Sequence, residues 1–261
     1  MKRISTFIFV NLFFFANAGY MTMPASANEQ LKDEIRITLE KNPELIFEAL
    51  KGHEERLYDL LQIGLEKKNK SKIRAGRIKQ LNNPKIAKMY PERPVWGNAQ
   101  GDISIIVFSD FQSATCSKAD KTILQLLKKH PEVDYRFRHN PLGIHRMSRS
   151  AAEYYEALAL QDHKKAIKLN HLILKNRLKI KKNGITELNN LAEKAGADMP
   201  RLRKDINSNK VKSIVKNDIQ EAKRLGFTAS PVFLVNGVTV SGAAPMEEFE
   251  EVFKMIRSQR K

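Results

Sequence analysis

A single cysteine, Cys116, and a single tryptophan stand in 261 residues. One thiol excludes any disulfide within the chain, so neither a disulfide-stapled scaffold nor a self-contained two-cysteine redox pair is available. The histidines lack metal-ligand spacing: His139, His145, His163 and His171 are spread over a loop and helices, with no H-x-x-x-H among them. Phosphate loops, paired catalytic carboxylates and a serine-hydrolase elbow are also missing, so neither a metal nor a cofactor is expected. No apolar run approaches the roughly 20 residues that a membrane-spanning helix needs. Acid is missing locally: residues 67–79 (KKNKSKIRAGRIK) carry seven positive residues and no acid, and residues 163–186 contain none. The formal charge is +17. Such runs suit an anionic envelope surface of lipid or lipopolysaccharide, or simply a solvated helix face. Without interleaved aromatics they do not suit nucleic acid.

What is present begins with an export pattern. Lys2 and Arg3 precede the apolar stretch Phe7 to Phe15, and Ala25-Ser26-Ala27 offers a small-residue cleavage site, with Ala16-Asn17-Ala18 competing. Residues 1–27 therefore read as a signal peptide, and the remainder as secreted across an inner membrane, most simply into a periplasm. Residues 28–93 read as a helical N-terminal region. Apolar positions 31, 35 and 39, then 45, 46, 49, 50, 57, 60, 61 and 65, follow helical spacing. Asn42 is placed to cap a second helix with Pro43 at its first position. The apolar stripe of that helix has no obvious partner of its own, so it points to the following domain or to a second copy of the chain. A connector rich in proline and glycine, residues 82–102, follows.

From residue 94 to 261 the pattern is α/β. ISIIVFSD (103–110) reads as a buried strand, TCSKADKTILQLLKKH (115–130) as an amphipathic helix and VDYRFRH (133–139) as a second strand. A helical block fills about 147–225, with breaks near Asp162, Lys182-Asn183-Gly184 and Ala197-Asp198. PVFLV (231–235), a turn at Asn236-Gly237 and VTVSG read as a hairpin, and an amphipathic helix closes the chain. This order, strand–helix–strand, helical insertion, hairpin, helix, predicts a thioredoxin fold carrying a helical insert.

Four segments, PVWGNAQGDISIIVFSDFQ, RFRHNPLGIHRMSRSAAEYYEALA, GFTASPVFLVNG and VSGAAPMEEFEEVF, resemble in order the DsbA-like branch of thioredoxin-fold proteins, which are exported disulfide oxidoreductases. The N-terminal helices resemble those of exported members that oligomerise through such a region. The resemblance implies that Ser113-Ala114-Thr115-Cys116 occupies the place of the family's C-x-x-C, so Ser113 stands where its nucleophile would be and Cys116 where its resolving thiol would be. Helix-terminus effects shift a pKa by one or two units each, enough for a thiol but not for an alcohol. Ser113 therefore cannot serve as an exchange nucleophile. Cys116 is left with three readings: a buried relic, a partner in mixed disulfides, or part of a thiol-dependent or glutathione-using enzyme acting through Cys116 or Ser113. The resemblance also implies a cis-proline at Pro231, with the Ser230 backbone receiving an extended peptide as an added strand. The expected partners are accordingly extended peptides or unfolded exported proteins.

Overall fold

The computed structural model describes residues 25–259. The expected signal peptide lies outside them except for its last three residues, with which the first helix begins. The described residues divide into two units, one ending at residue 68 and the other starting at 69. In the first, helix α1 (Ala25–Lys41) is followed by α2 (Glu44–Leu50) and by α3 (Glu54–Asn82), within which the boundary falls. Asn42 does not cap α2. Its side-chain amide donates to the Thr38 carbonyl at 2.9 Å, closing α1, and Pro43 takes the cap position with no side-chain bond. Gly52, at φ +82°, then separates α2 from α3. No side chain between residues 29 and 68 is buried, and Leu31, Ile35, Phe47, Leu57 and Leu61 are all exposed.

The second unit holds a five-stranded sheet in the order β1-β3-β2-β4-β5: β1 Trp96–Gly97, β2 Ile103–Ser109, β3 Val133–His139, β4 Val232–Val235 and β5 Val238–Ser241. β2 and β3 run parallel, joined by α4 (Ala114–Lys129), and the remaining pairings are antiparallel. The apolar continuity of β2 has its reason in burial on both faces. Ile103, Ile105 and Val107 enter the main core, while Ile106 and Phe108 join a second cluster with Ala222, Leu225, Phe227 and Leu234. α4 lays Cys116, Ala119, Ile123 and Leu126 into the main core, a stripe at helical spacing.

Between β3 and β4 come six helices: α5 (Ser148–Ala159), α6 (His163–Lys175), α7 (Arg177–Asn183), α8 (Ile185–Ala195), α9 (Met199–Ile206) and α10 (Asn209–Arg224). The breaks expected at Asp162, Gly184 and Asp198 are present. Asp162 and Asp198 accept from the backbone N–H groups of Lys165 and Arg201, and Gly184 adopts φ +58°. Two further breaks, at Asn176 and at Ser208 (which caps Val211 N), subdivide the block. Helix α11 (Met246–Gln259) covers the sheet. At the hairpin, Asn236 and Gly237 both have positive φ, and a Cβ on Gly237 would run into Pro84. Only glycine fits there.

The domain boundary differs from the one expected at residue 94. Residues 69–93 belong with the sheet unit because they pair with it directly. Arg77 bonds Glu248 at 2.6 Å, Gln80 Oε1 accepts from the Thr239 N–H and hydroxyl, and Lys85 N donates to the Gly237 carbonyl. Arg93 is buried, donating to Asp218 and to Glu156. These partners lie more than 60 residues away in sequence, so a local reading of a proline-rich connector could not find them.

Candidate functional site

The parallel order of β2 and the antiparallel entry of β4 bring three segments to one end of the sheet: the start of α4, the loop after β3, and Ser230-Pro231. Phe108 pairs with Val232, so the last residues of β2 lie beside the first of β4. Asn140 N donates to the Ser109 carbonyl at 2.7 Å. The Ser230 hydroxyl donates to the Asn140 carbonyl at 2.8 Å, and the Asn140 amide donates to Ala229 O at 3.1 Å. Asn140 thus bridges the two segments that the sequence assigned to separate roles.

Ser113 is the N-cap of α4. It is extended (φ −73°, ψ 130°), and its Oγ accepts from Cys116 N at 3.3 Å, satisfying one of the helix's unpaired donors. It is only 9 % exposed. Among the described residues no histidine hydrogen-bonds its hydroxyl, the arrangement that would activate a serine.

Cys116 lies one turn in, 2 % exposed, with its Sγ accepting from Asp110 N at 3.4 Å. Burial pushes the thiol above its ordinary range, outweighing the opposing hydrogen bonds from Ser109, the Asp110 backbone and Ser113. The Asp110 carboxylate adds to the rise, because a nearby anion disfavours a thiolate. The thiolate is the reactive form of a cysteine, and a covered thiol packs as a small apolar side chain.

Asp110 organises the site, and the sequence reading passed over it as the end of a strand. Fully buried, its carboxylate accepts from Gln112 N at 2.8 Å, Leu142 N at 3.3 Å, His145 Nδ1 at 3.0 Å and the Ser148 hydroxyl. One side chain therefore joins the end of β2, the turn into α4, the loop after β3 and the first turn of α5. Its one local signal is the bond to the N–H two residues on, the turn that aspartate habitually forms.

Ser230-Pro231 is a cis peptide, as the family resemblance implied. Ser230 is half-buried and Pro231 buried, and the Pro231 carbonyl accepts from Gly242 N at 2.9 Å. The Ser230 main-chain N–H and carbonyl make no hydrogen bond among the described residues. A groove of about 300 Å3 is lined by the residues that flank this turn in sequence, among them Phe227, Thr228, Ala229 and Val232, together with Lys85.

Three further histidines of the domain are committed to acids: His130 to Glu250 at 2.9 Å, His139 to Glu156 at 2.7 Å and His171 to Asp120 at 3.1 Å. Ligand atoms of His139, Glu156 and Asp218 converge within 4.8 Å, a grouping that could hold a metal ion. The Arg93 guanidinium donates to both carboxylates, so a cation from the chain itself already sits there.

The chain is similar to several known proteins. Over 149 residues it is 26 % identical to the Na(+)/H(+) antiporter NhaA 3 of Salinispora tropica, a match covering 56 % of this chain and 22 % of the antiporter. The chain thus spans about a fifth of the curated relatives it matches. Among solved structures, a thioredoxin-like oxidoreductase from Silicibacter pomeroyi DSS-3 aligns at 23 % identity and a TM-score of 0.57, covering 65 % of this chain and 94 % of that one. The thiol-disulfide exchange protein alpha-DsbA2 from Wolbachia pipientis aligns at 18 % identity and a TM-score of 0.58, covering 71 % and 98 %. These likenesses establish a DsbA-type fold. The thioredoxin family model matches residues 90–255, and the chain belongs to that family.

Proposed function

We propose that this protein is an exported, DsbA-like peptide-binding factor, most simply periplasmic, in which the oxidoreductase site no longer turns over. The observation that carries the reading is the pairing of a capping serine at 113 with a buried, acid-flanked thiol at 116, in a domain whose cis-proline turn keeps a main chain that needs no sulfur. Thiol–disulfide exchange requires an accessible thiolate to attack and a second sulfur to resolve the mixed disulfide. Ser113 supplies neither, and Cys116 is protonated and covered. The same two observations speak against an enzyme acting through Cys116 alone or through Ser113. Peptide capture draws on different atoms. The unbonded Ser230 main chain can pair with an extended strand, and the groove lined by Thr228, Ala229 and Val232 can take a side chain.

Export is supported by the charged, apolar and small-residue order of residues 1–27. No helix among the described residues is long and apolar enough to cross a membrane.

The test is titration of a fluorescent, extended peptide into the full chain, read by anisotropy. Binding is expected to be equal in the wild type and in Cys116→Ala. It should weaken at least tenfold in Ala229→Arg, which places a long side chain in the groove at an exposed position. Loss of binding in Cys116→Ala with the fold intact, or indifference to Ala229→Arg, overturns the reading.

A further inference from the structure

A second cavity, of about 330 Å3, opens next to the turn that carries Ser113. Gln112, Ile144, His145, Arg146, Arg177 and Lys181 line it, with Met147, and no acid is among them. Arg146, Arg177 and Lys181 make no ion pair among the described residues, although most other arginines of this unit do. Arg177 and Lys181 are four apart on α7 and so project from one side of it, an arrangement of like charges that weakens a helix slightly when nothing neutralises it. They come from the acid-free stretch 163–186, for which neither the fold nor the groove gives a use.

A second observation points to a ligand. Gln112 is 6 % exposed, yet its side-chain Nε2 has no acceptor. A buried amide donor without a partner costs about 1–3 kcal/mol and is rarely left so. A lining of cations plus one unsatisfied N–H donor is complementary to a carboxylate, which accepts at both oxygens. The volume is at the small end of ligand sites, suited to one side chain or a small acid rather than to a large cofactor.

We propose that this cavity is a carboxylate subsite, filled by an acidic side chain of the bound peptide. This rests on the peptide-binding reading and narrows it to acidic clients. Gln112 would orient the carboxylate, Arg146, Arg177 and Lys181 would supply its charge partners, and Ile144, 76 % exposed at the rim, would meet a neighbouring apolar residue of the peptide. The link to the first site is direct: Gln112 precedes the capping Ser113, and its N–H is held by Asp110, which also holds His145.

The experiment uses the full chain and three fluorescent peptides identical except for Glu, Gln or Lys at one position, at low salt. Free glutarate, followed by thermal shift, forms a separate arm. The variant is Arg177→Glu/Lys181→Glu, which changes a largely exposed part of α7 and should keep the wild-type melting profile. The expected result is that the Glu peptide binds at least tenfold more tightly than the Gln peptide. The double variant should erase that preference while keeping the Gln-peptide affinity. Equal binding of the Glu and Gln peptides by the wild type overturns the inference while leaving peptide binding in place. If no peptide binds but glutarate raises the melting temperature of the wild type and not of the variant, the carboxylate site stands with a free acid as its ligand. In that case it is the peptide-binding reading that fails. Absence of both effects overturns the site.

Discussion

At the scale of single residues, one atom decides the chemistry. Serine is a strong N-cap, and Ser113 uses its oxygen for that purpose. Replacing it with cysteine exchanges a cap for a second thiol at the spacing of a redox pair. Reduced Ser113→Cys is expected to lose about 0.5–2 kcal/mol of stability from the weakened cap. On mild oxidation its two thiols should close into a disulfide, counted by thiol titration of the unfolded protein. Two thiols still free after oxidation would show that the turn does not bring positions 113 and 116 within bridging reach. Cys116 itself should label slowly in the native state near pH 7 and rapidly in denaturant, followed by mass spectrometry. Its raised pKa also has a sign in stability. Between the unfolded thiol's pKa of about 8.5 and its higher folded value, the unfolded chain binds fewer protons than the native one. This contribution is whole below pH 8 and is lost as pH rises through that window, so denaturant midpoints of the wild type should fall there more steeply than those of Cys116→Ala. Tyr135 and Tyr155, raised by burial, contribute in the same direction only above about pH 10. The sequence made Cys116 legible, because its stripe with Ala119, Ile123 and Leu126 is a local pattern. Asp110 was not legible, because three of its four partners lie in the loop after β3 and in α5.

At the scale of elements, the segment before β1 carries the least expected structure. Arg93, inside a proline-rich connector, is buried against Glu156 of α5 and Asp218 of α10, while Arg138 of β3 donates to the same Asp218 at 3.2 Å. Burial is the largest influence on Arg93 and opposes its charge, but the two carboxylates outweigh it and hold the guanidinium charged. Glu156 is the mirror case: burial raises it most, Arg93 and His139 pull it back, and it ends below the ordinary carboxylate range. Removing one member leaves an uncompensated buried charge, so Arg93→Met is expected to cost about 3–5 kcal/mol, read from denaturant midpoints. Adding Glu156→Gln and Asp218→Asn should recover part of that loss. The lowered carboxyl adds stability that is present above about pH 4.3 and lost as pH falls below it. A cost within error in Arg93→Met would show that the cluster does not hold the connector. Strands and long helices were readable from periodicity alone. This cluster was not, since charged residues near prolines look solvated until the sheet gathers their partners.

At the scale of the whole molecule, two unlike surfaces remain. The helices before residue 69 expose Leu31, Ile35, Phe47, Leu57 and Leu61, and apolar faces of this kind mark contact sites. We propose that they are covered by further copies of the chain, a proposal tested by Leu57→Glu/Leu61→Glu, which places charges at two exposed positions of α3. Light scattering is expected to give an oligomer for the wild type and a monomer for the variant, and equal masses would remove this role. The basic run 67–79 reads differently after folding. Arg74 and Arg77 are spent on Glu251 and Glu248, so only part of its charge is left for an anionic envelope surface. The fold order and the family were legible from the four segments in sequence. The unit boundary was not, because α3 is one unbroken helix through the basic run and the residues that change allegiance carry no composition break.

Catalytic turnover by the purified protein reaches the central claim most directly. Insulin reduction by dithiothreitol, with wild type and Cys116→Ala side by side, should run at the same rate with either protein and at the rate without protein. Acceleration by the wild type beyond its alanine variant would contradict the account. Exchange would then be passing through a lone sulfur that the structure places under the first turn of a helix, with oxygen where its partner should be.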